Sequence, residues 1–211
     1  MSSAQTPSLW EQVAHMWEQV GRMGQPAAGF IAFKSPSTQP AAAADDEHSF
    51  TPSMFAQRQI ELGRSIRLCI DLTSESAASR LYDACEWDDW DIEYVRIPCE
   101  VSVSKEGFHE AVPSEEAVDA FVRAVSSFWR IEKNRSRYIG VHCITGHNLS
   151  GYCIVRYLMR VQKLEQALTT FAAARSPGIY SPDLLESLWR VAEGALPLPQ
   201  RWRPPAPPSW H

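Results

Sequence analysis

The sequence predicts an α/β fold in which a central, mostly parallel sheet is flanked by helices. Two observations carry this. Apolar runs of strand length alternate with amphipathic stretches of helical spacing, the order expected of βαβ units. In addition, one buried strand runs straight into a polar, glycine-containing loop that opens a helix, over residues 138–152. At 211 residues, 45 % hydrophobic and 21 % charged, the chain has the length and composition of one ordinary folded domain.

The elements follow in chain order. Residues 8–22 hold the repeat Trp10-Glu-Gln-Val13 and Trp17-Glu-Gln-Val20, whose apolar positions recur at helical spacing. A short amphipathic helix is expected there, packing on its own domain. Residues 1–20 are read as an N-terminal segment, 21–194 as the domain and 195–211 as a Pro-rich, extended tail. Residues 35–49, with Ser-Pro, Gln-Pro, four Ala and the acidic run Asp45-Asp46-Glu47, read as an irregular surface loop. Ile66–Leu72 is a continuous apolar run of buried-strand type. Ile92–Ile97 is a second strand, followed by a polar loop through Pro113. Ser114 and Glu116 open a helix that runs to about Glu132, with Ala117, Phe121, Val125 and Phe128 on one face. Tyr138–His142 is a third strand. A loop over 144–150 separates it from a helix starting at Ser150 and reaching about Val161. Further helices are expected over 163–175 and 181–193.

Charge and cysteine usage narrow the function classes. A net charge of −5 excludes a global basic field of the kind that draws nucleic acid. A local basic pocket is left open: of 20 basic residues four are Lys and the rest Arg, a bias that either favours bidentate phosphate contacts or reflects coding preference. The five Cys are odd in number and lack zinc spacing, which fits buried thiols in a reducing compartment and calls for no metal or cofactor. No run of 18 apolar residues and no signal pattern at the N-terminus is found, so no membrane partner is expected and the localisation reads as nuclear or cytoplasmic.

The chemistry is concentrated in Val141-His-Cys-Ile-Thr-Gly-His-Asn-Leu-Ser-Gly-Tyr152. A loop of this kind turns successive backbone N–H groups inward, and the following helix adds its N-terminal partial charge. The result is an anion nest of phosphate size. A Cys at its mouth, preceded by His, is expected to have a depressed pKa and to be a ready nucleophile. The segment resembles the signature of the cysteine phosphatases, His-Cys-x-x-Gly-x-x-Arg-Ser/Thr-Gly. His142, Cys143, Gly146, Ser150 and Gly151 fall in register with it, and Leu149 stands at the Arg position. Other stretches are similar to successive landmarks of the RNA 5′-triphosphatase domain of metazoan-type mRNA capping enzymes. They are Gly24–Gly29, Phe50–Met54, Asp71-Leu72-Thr73 and Phe171–Tyr180 with its Ala-Arg-x-Pro-Gly-Ile-Tyr run, and the resemblance extends in order from about Gly21 to Arg190.

That resemblance implies a dual-specificity-phosphatase fold and a thiolate that attacks the γ-phosphate of 5′-triphosphorylated RNA, without metal. Cys143 would be the nucleophile, and the amides of Ile144, Thr145, Gly146, His147, Asn148, Leu149 and Ser150, with Gly151 behind them, would cradle phosphate. The Ser150 hydroxyl would help the thiolate leave, and His142 would orient the loop and tune the thiol. Arg175 is either a phosphate or RNA contact or part of a structural ion pair. Two departures stand out. The loop 99–113 offers Glu100, Glu106 and Glu110 but no Asp as general acid, a mild deficit for a polyphosphate leaving group. Leu149 removes the bidentate guanidinium on the equatorial oxygens, a loss of roughly 10³–10⁵ in rate by analogy with arginines in other phosphoryl transfers. Arg156 and Arg160 fall one and two turns along the following helix, pointing away from the nest; His147 is the nearest candidate cation, or a surface His. The Lys-x-Asp-Gly motif of a guanylyltransferase occurs at none of the four Lys. The expectation is therefore a capping-enzyme-like domain of impaired catalysis that binds phosphorylated RNA 5′ ends, or a separate guanylyltransferase or cap-related protein. The alternatives are an active RNA 5′-tri/diphosphatase or dual-specificity phosphatase working through a cysteinyl-phosphate, and an interaction scaffold using Trp10, Trp17, Trp202 and Trp210.

Overall fold

A computed structural model describes residues 9–38, 49–75, 81–104, 107–194 and 204–209. The elements are helix α1 (Leu9–Gln19), strands β1 (Met23–Ala27) and β2 (Phe30–Lys34), α2 (Pro52–Glu61), β3 (Ile66–Asp71), a 3-10 helix (Ala84–Trp90) and β4 (Glu93–Arg96). Strands β5 (Val101–Ser104) and β6 (Gly107–Glu110) follow, then α3 (Glu115–Arg130), β7 (Tyr138–Cys143), α4 (Asn148–Leu158), α5 (Leu164–Ala174) and α6 (Pro182–Glu193).

The main sheet has the order β1-β2-β7-β3-β4; β2, β7, β3 and β4 are parallel, and β1 pairs antiparallel at one edge. The expected α/β class, with a mostly parallel sheet between helices, is the observed one. Strand alternation sorts the core into two clusters. Phe30, Ala32, Leu68, Ile70, Ile139, Val141 and Cys143 join a cluster with side chains of α3 to α6. Ile31, Phe33, Ile66 and Cys69 join a second with α1, α2 and the 3-10 helix. α1 packs on its own domain, with Val13, Met16, Trp17 and Val20 buried.

Several boundaries move. α4 begins at Asn148, two residues before the expected Ser150, so Leu149 and Ser150 lie in its first turn. The apolar face of α3 centres on Val118 rather than Ala117, which is half-buried. The stretch read as a polar loop to Pro113 contains the β5–β6 hairpin, paired from Val101↔Glu110 to Ser104↔Gly107. The alternation Val101-Ser102-Val103-Ser104 was its signal. The β1–β2 hairpin was masked by Pro26 and by an Ala28-Gly29 turn in which both residues have positive φ, 49° and 91°. α2 was not read from the sequence, although Thr51 as N-cap before Pro52, whose missing N–H costs nothing at the first helical position, was its signal. Most of the acidic loop, the Trp10 side chain, and Trp202 and Trp210 lie outside what the structure describes.

Candidate active site

Because side chains alternate along β7, Cys143 and His142 face opposite sides of the sheet. The Cys143 thiol points toward α4 and is fully buried. The His142 ring lies among Phe33 and Tyr82, its Nε2 2.8 Å from the Tyr82 hydroxyl and its Nδ1 3.6 Å from Asp71 Oδ1. Burial lowers its pKa, and it reaches Cys143 at the backbone rather than at the thiol.

The loop after β7 is held in three ways. Ile144 anchors it in the second core cluster, and its carbonyl accepts the Ser35 N–H at 3.0 Å. Gly146 sits at φ +71°, and a Cβ there would come within 2.2 Å of the Phe33 carbonyl oxygen. Such a position admits glycine alone. Arg175, buried, donates through Nη2 to the carbonyls of Thr145 and Gly21, each at 2.7 Å. Its guanidinium thus ties the loop to the entry of β1, with Nε unpaired and burial lowering its pKa to about 10. Gly151 lets α4 approach α5, since a Cβ would meet Phe171 at 2.5 Å and Ile179 at 2.6 Å.

Inside the loop the groups differ from expectation. The Gly146 N–H points at Cys143 Sγ at 3.3 Å, and the Ser150 amide and hydroxyl also lie against the sulfur, the hydroxyl without a hydrogen bond of good geometry. These groups favour thiolate. Burial and the neighbouring Glu110 outweigh them and push the Cys143 pKa up to about 11. The expected depressed thiol is thereby corrected: the nearby Arg175 guanidinium is engaged by the Thr145 and Gly21 carbonyls, and a carboxyl group stands beside the sulfur. His147 is not that cation either, nor is it a surface residue. It is buried with Nδ1 3.0 Å from the Thr145 carbonyl and Nε2 3.1 Å from the Ser176 carbonyl. Burial and Arg175 push its pKa down to about 3, so the ring is neutral and donates to one of the two. Arg156 and Arg160 do point elsewhere: Arg156 pairs with Glu115 at 2.7 Å, and Arg160 lies over the Tyr157 ring. Leu149 is 1 % exposed and belongs to the larger core cluster.

The residue that sequence reasoning undervalued is Glu110. The end of β6 carries its carboxyl group into the site, where Oε2 accepts from Asn148 Nδ2 at 2.6 Å. The carboxyl also lies against the Leu149 N–H and the Cys143 thiol, while Oε1 is left without a well-formed hydrogen bond. Burial pushes its pKa up to about 7. Asn148 is a fixed donor in this arrangement: its Oδ1 accepts the N–H groups of Tyr180 and Ser181 at 3.0 and 3.1 Å, so Nδ2 must face Glu110. Among the described residues no cluster of His, Cys, Asp or Glu could hold a metal, and no helix is long and apolar enough to cross a membrane.

No protein-family profile matches the chain. Among characterised proteins it is 34 % identical to the mRNA-capping enzyme of Danio rerio over 95 % of this chain and 32 % of that one. It is 33 % identical to the mRNA-capping enzyme of Mus musculus over 90 % of this chain and 30 % of that one. To the RNA/RNP complex-1-interacting phosphatase of Mus musculus the identity is 30 % over 77 % and 48 %. The chain thus spans about a third of the length of the capping enzymes it matches. Among solved structures, the active form of Tk-PTP superposes with a TM-score of 0.56 at 17 % identity, covering 82 % of this chain and 97 % of that one. PTPMT1 in complex with PI(5)P gives 0.55 at 18 %, covering 80 % and 92 %.

Proposed function

The chain is a relative of the mRNA-capping enzymes built on the cysteine-phosphatase fold, and from that premise we propose that it is an RNA 5′-triphosphatase-like domain of strongly impaired catalysis that binds phosphorylated RNA 5′ ends. The observation that carries the reading is Leu149, buried in the core at the position of the signature Arg; burial and Glu110 also push the neighbouring thiol up. At neutral pH the thiol is therefore held in its protonated form. Transition-state charge on the equatorial oxygens would meet amide dipoles but no guanidinium. The nest itself does not depend on that side chain: the loop, Gly146 and the first turn of α4 are all formed.

Purified protein is expected to hydrolyse triphosphorylated RNA at least ~10³-fold more slowly than a relative with the signature Arg. It is expected to bind triphosphorylated RNA more tightly than the same RNA bearing a 5′-hydroxyl, with a difference that shrinks in high salt. Turnover within roughly tenfold of such a relative, abolished by Cys143→Ser, would remove the impairment. Equal low-salt affinity for both RNA ends would remove the end-reading role, leaving a protein partner in a cap-related complex as the remaining reading.

A further inference from the structure

We propose that Glu110 is an internal ligand of the phosphate nest: its carboxylate occupies the place of a bound anion over Cys143, so that the site is self-occluded until Glu110 withdraws. The reading of the ligand as an RNA phosphate rests on the function proposed above; the occlusion itself rests on geometry alone.

Three observations converge on it. The carboxyl group takes the donors that an anion would use, the Asn148 amide at 2.6 Å and the Leu149 N–H in the first turn of α4, and it abuts the thiol. Helix N-termini favour a negative group at this place, whichever molecule supplies it. The fit is also incomplete. Oε1 is buried without a partner, whereas a tetrahedral oxyanion has more oxygens with which to reach the remaining loop amides. A planar carboxylate satisfies the nest less well than sulfate or phosphate would, so it holds the site closed yet can be displaced. Finally, the residue is delivered by the end of the separate two-stranded β5–β6 sheet, outside the central one. Withdrawal therefore requires no break in the main sheet.

Occupancy also responds to protonation. The groups facing Glu110 are the Cys143 thiol from β7, the amides of Asn148 and Leu149 from α4, and the Tyr180 phenol from the segment before α6. Its own pKa of about 7 means that near neutrality the occluding group passes between a charged and an uncharged form.

The test uses the full chain with Cys85→Ser, since Cys85 is the exposed free thiol among the described residues. Cys143 is alkylated with neutral iodoacetamide or anionic iodoacetate, with and without sulfate, and quantified by peptide mass. Glu110→Ala is expected to accelerate both reagents about tenfold, the effect of one unit of thiol pKa, and to accelerate iodoacetate further, because its own charge no longer meets a carboxylate. Sulfate at millimolar concentration is expected to protect the variant and to leave the parent unprotected. Equal acceleration of both reagents, with no protection by sulfate, would mean mere loosening of the hairpin and would overturn the proposal. If Glu110→Ala does not fold, Glu110→Ser decides: it likewise removes the carboxyl side chain from the nest while keeping a polar group at the end of β6, and absence of sulfate protection in it overturns the proposal equally. Because sulfate is the probe, an occluded nest that opens to sulfate but fails to discriminate RNA ends refutes the RNA reading alone.

Discussion

At the scale of single residues, Glu110 makes the site's electrostatics unlike what its motif implies. Its folded pKa, about 7, lies above the ordinary 4.5, because burial penalises the charged form more than Asn148 compensates it. Between those values the native state holds a proton that the unfolded chain has released, so stability falls as pH rises through that window and then levels off. Glu110→Gln cannot titrate. Its stability advantage over the parent is expected to grow by up to ~3 kcal/mol from about pH 4 to about pH 8, read as the difference in melting temperature across pH. A difference flat in pH would show that the carboxyl is not held as described. Leu149 gives a second prediction. It packs in the core, so Leu149→Arg must lift a guanidinium out of an apolar cluster, at a cost of about 1–3 kcal/mol. Once out, the guanidinium meets Glu110 before it meets phosphate. Leu149→Arg alone is therefore expected to raise phosphate release by no more than roughly tenfold, and the double variant with Glu110→Ala by more than the product of the two singles. Cys143→Ser must abolish both gains. A single Leu149→Arg variant with the rate of an intact relative would show the nest to be open.

At the scale of elements, the strand–loop–helix unit depends on one backbone approach. The loop passes so near β2 that a Cβ at residue 146 would lie 2.2 Å from the Phe33 oxygen and 2.4 Å from its carbonyl carbon. A side chain at 146 thus obstructs the strand beneath the loop rather than the nest above it. Even Gly146→Ala is expected to cost ~3 kcal/mol or more, combining positive-φ strain with overpacking against backbone, measured by denaturant unfolding. A loss under about 1 kcal/mol would contradict the approach of loop and strand. The motif glycine was legible from spacing. The clash that demands it was not, since the β1–β2 hairpin that carries Phe33 was hidden by Pro26 in β1 and by a turn without the usual Asn-Gly.

At the scale of the molecule, α1 closes the back of the site. Trp17 donates its indole N–H to the Ser35 carbonyl at 2.8 Å, and Lys34 Nζ lies 3.7 Å from the centre of the ring while donating to the Trp17 carbonyl at 3.0 Å. Lys34 stands level with Cys143 across the sheet. Burial, with Arg22 and Arg175 nearby, lowers its pKa to about 8. Lys34 is thus sealed by an aromatic helix instead of being offered to solvent. Trp17→Ala is expected to cost ~3–5 kcal/mol in unfolding free energy, since it removes a buried indole, its hydrogen bond and its cation–π contact together. A loss below about 1 kcal/mol would mean that α1 is not part of the folded core.

The local pattern of the chain was sufficient to determine the α/β class, strands β3, β4 and β7, helices α1 and α3 to α6, and the placing of Cys143 at the end of a strand with Gly146 in the loop behind it. These depend on neighbouring dihedral angles and on side-chain periodicity, which adjacent residues carry. Whether the thiol is charged depends on other chains of contact. Glu110 reaches Asn148 across 38 positions, and Arg175 reaches Gly21 across 154. His147, written next to a helix start, is driven neutral by the desolvation of a packed loop. Charge acts through space and burial, and only the folded arrangement brings a carboxyl group to the nest, turns Leu149 into the core and commits Arg156 to Glu115 and Arg175 to the Thr145 carbonyl.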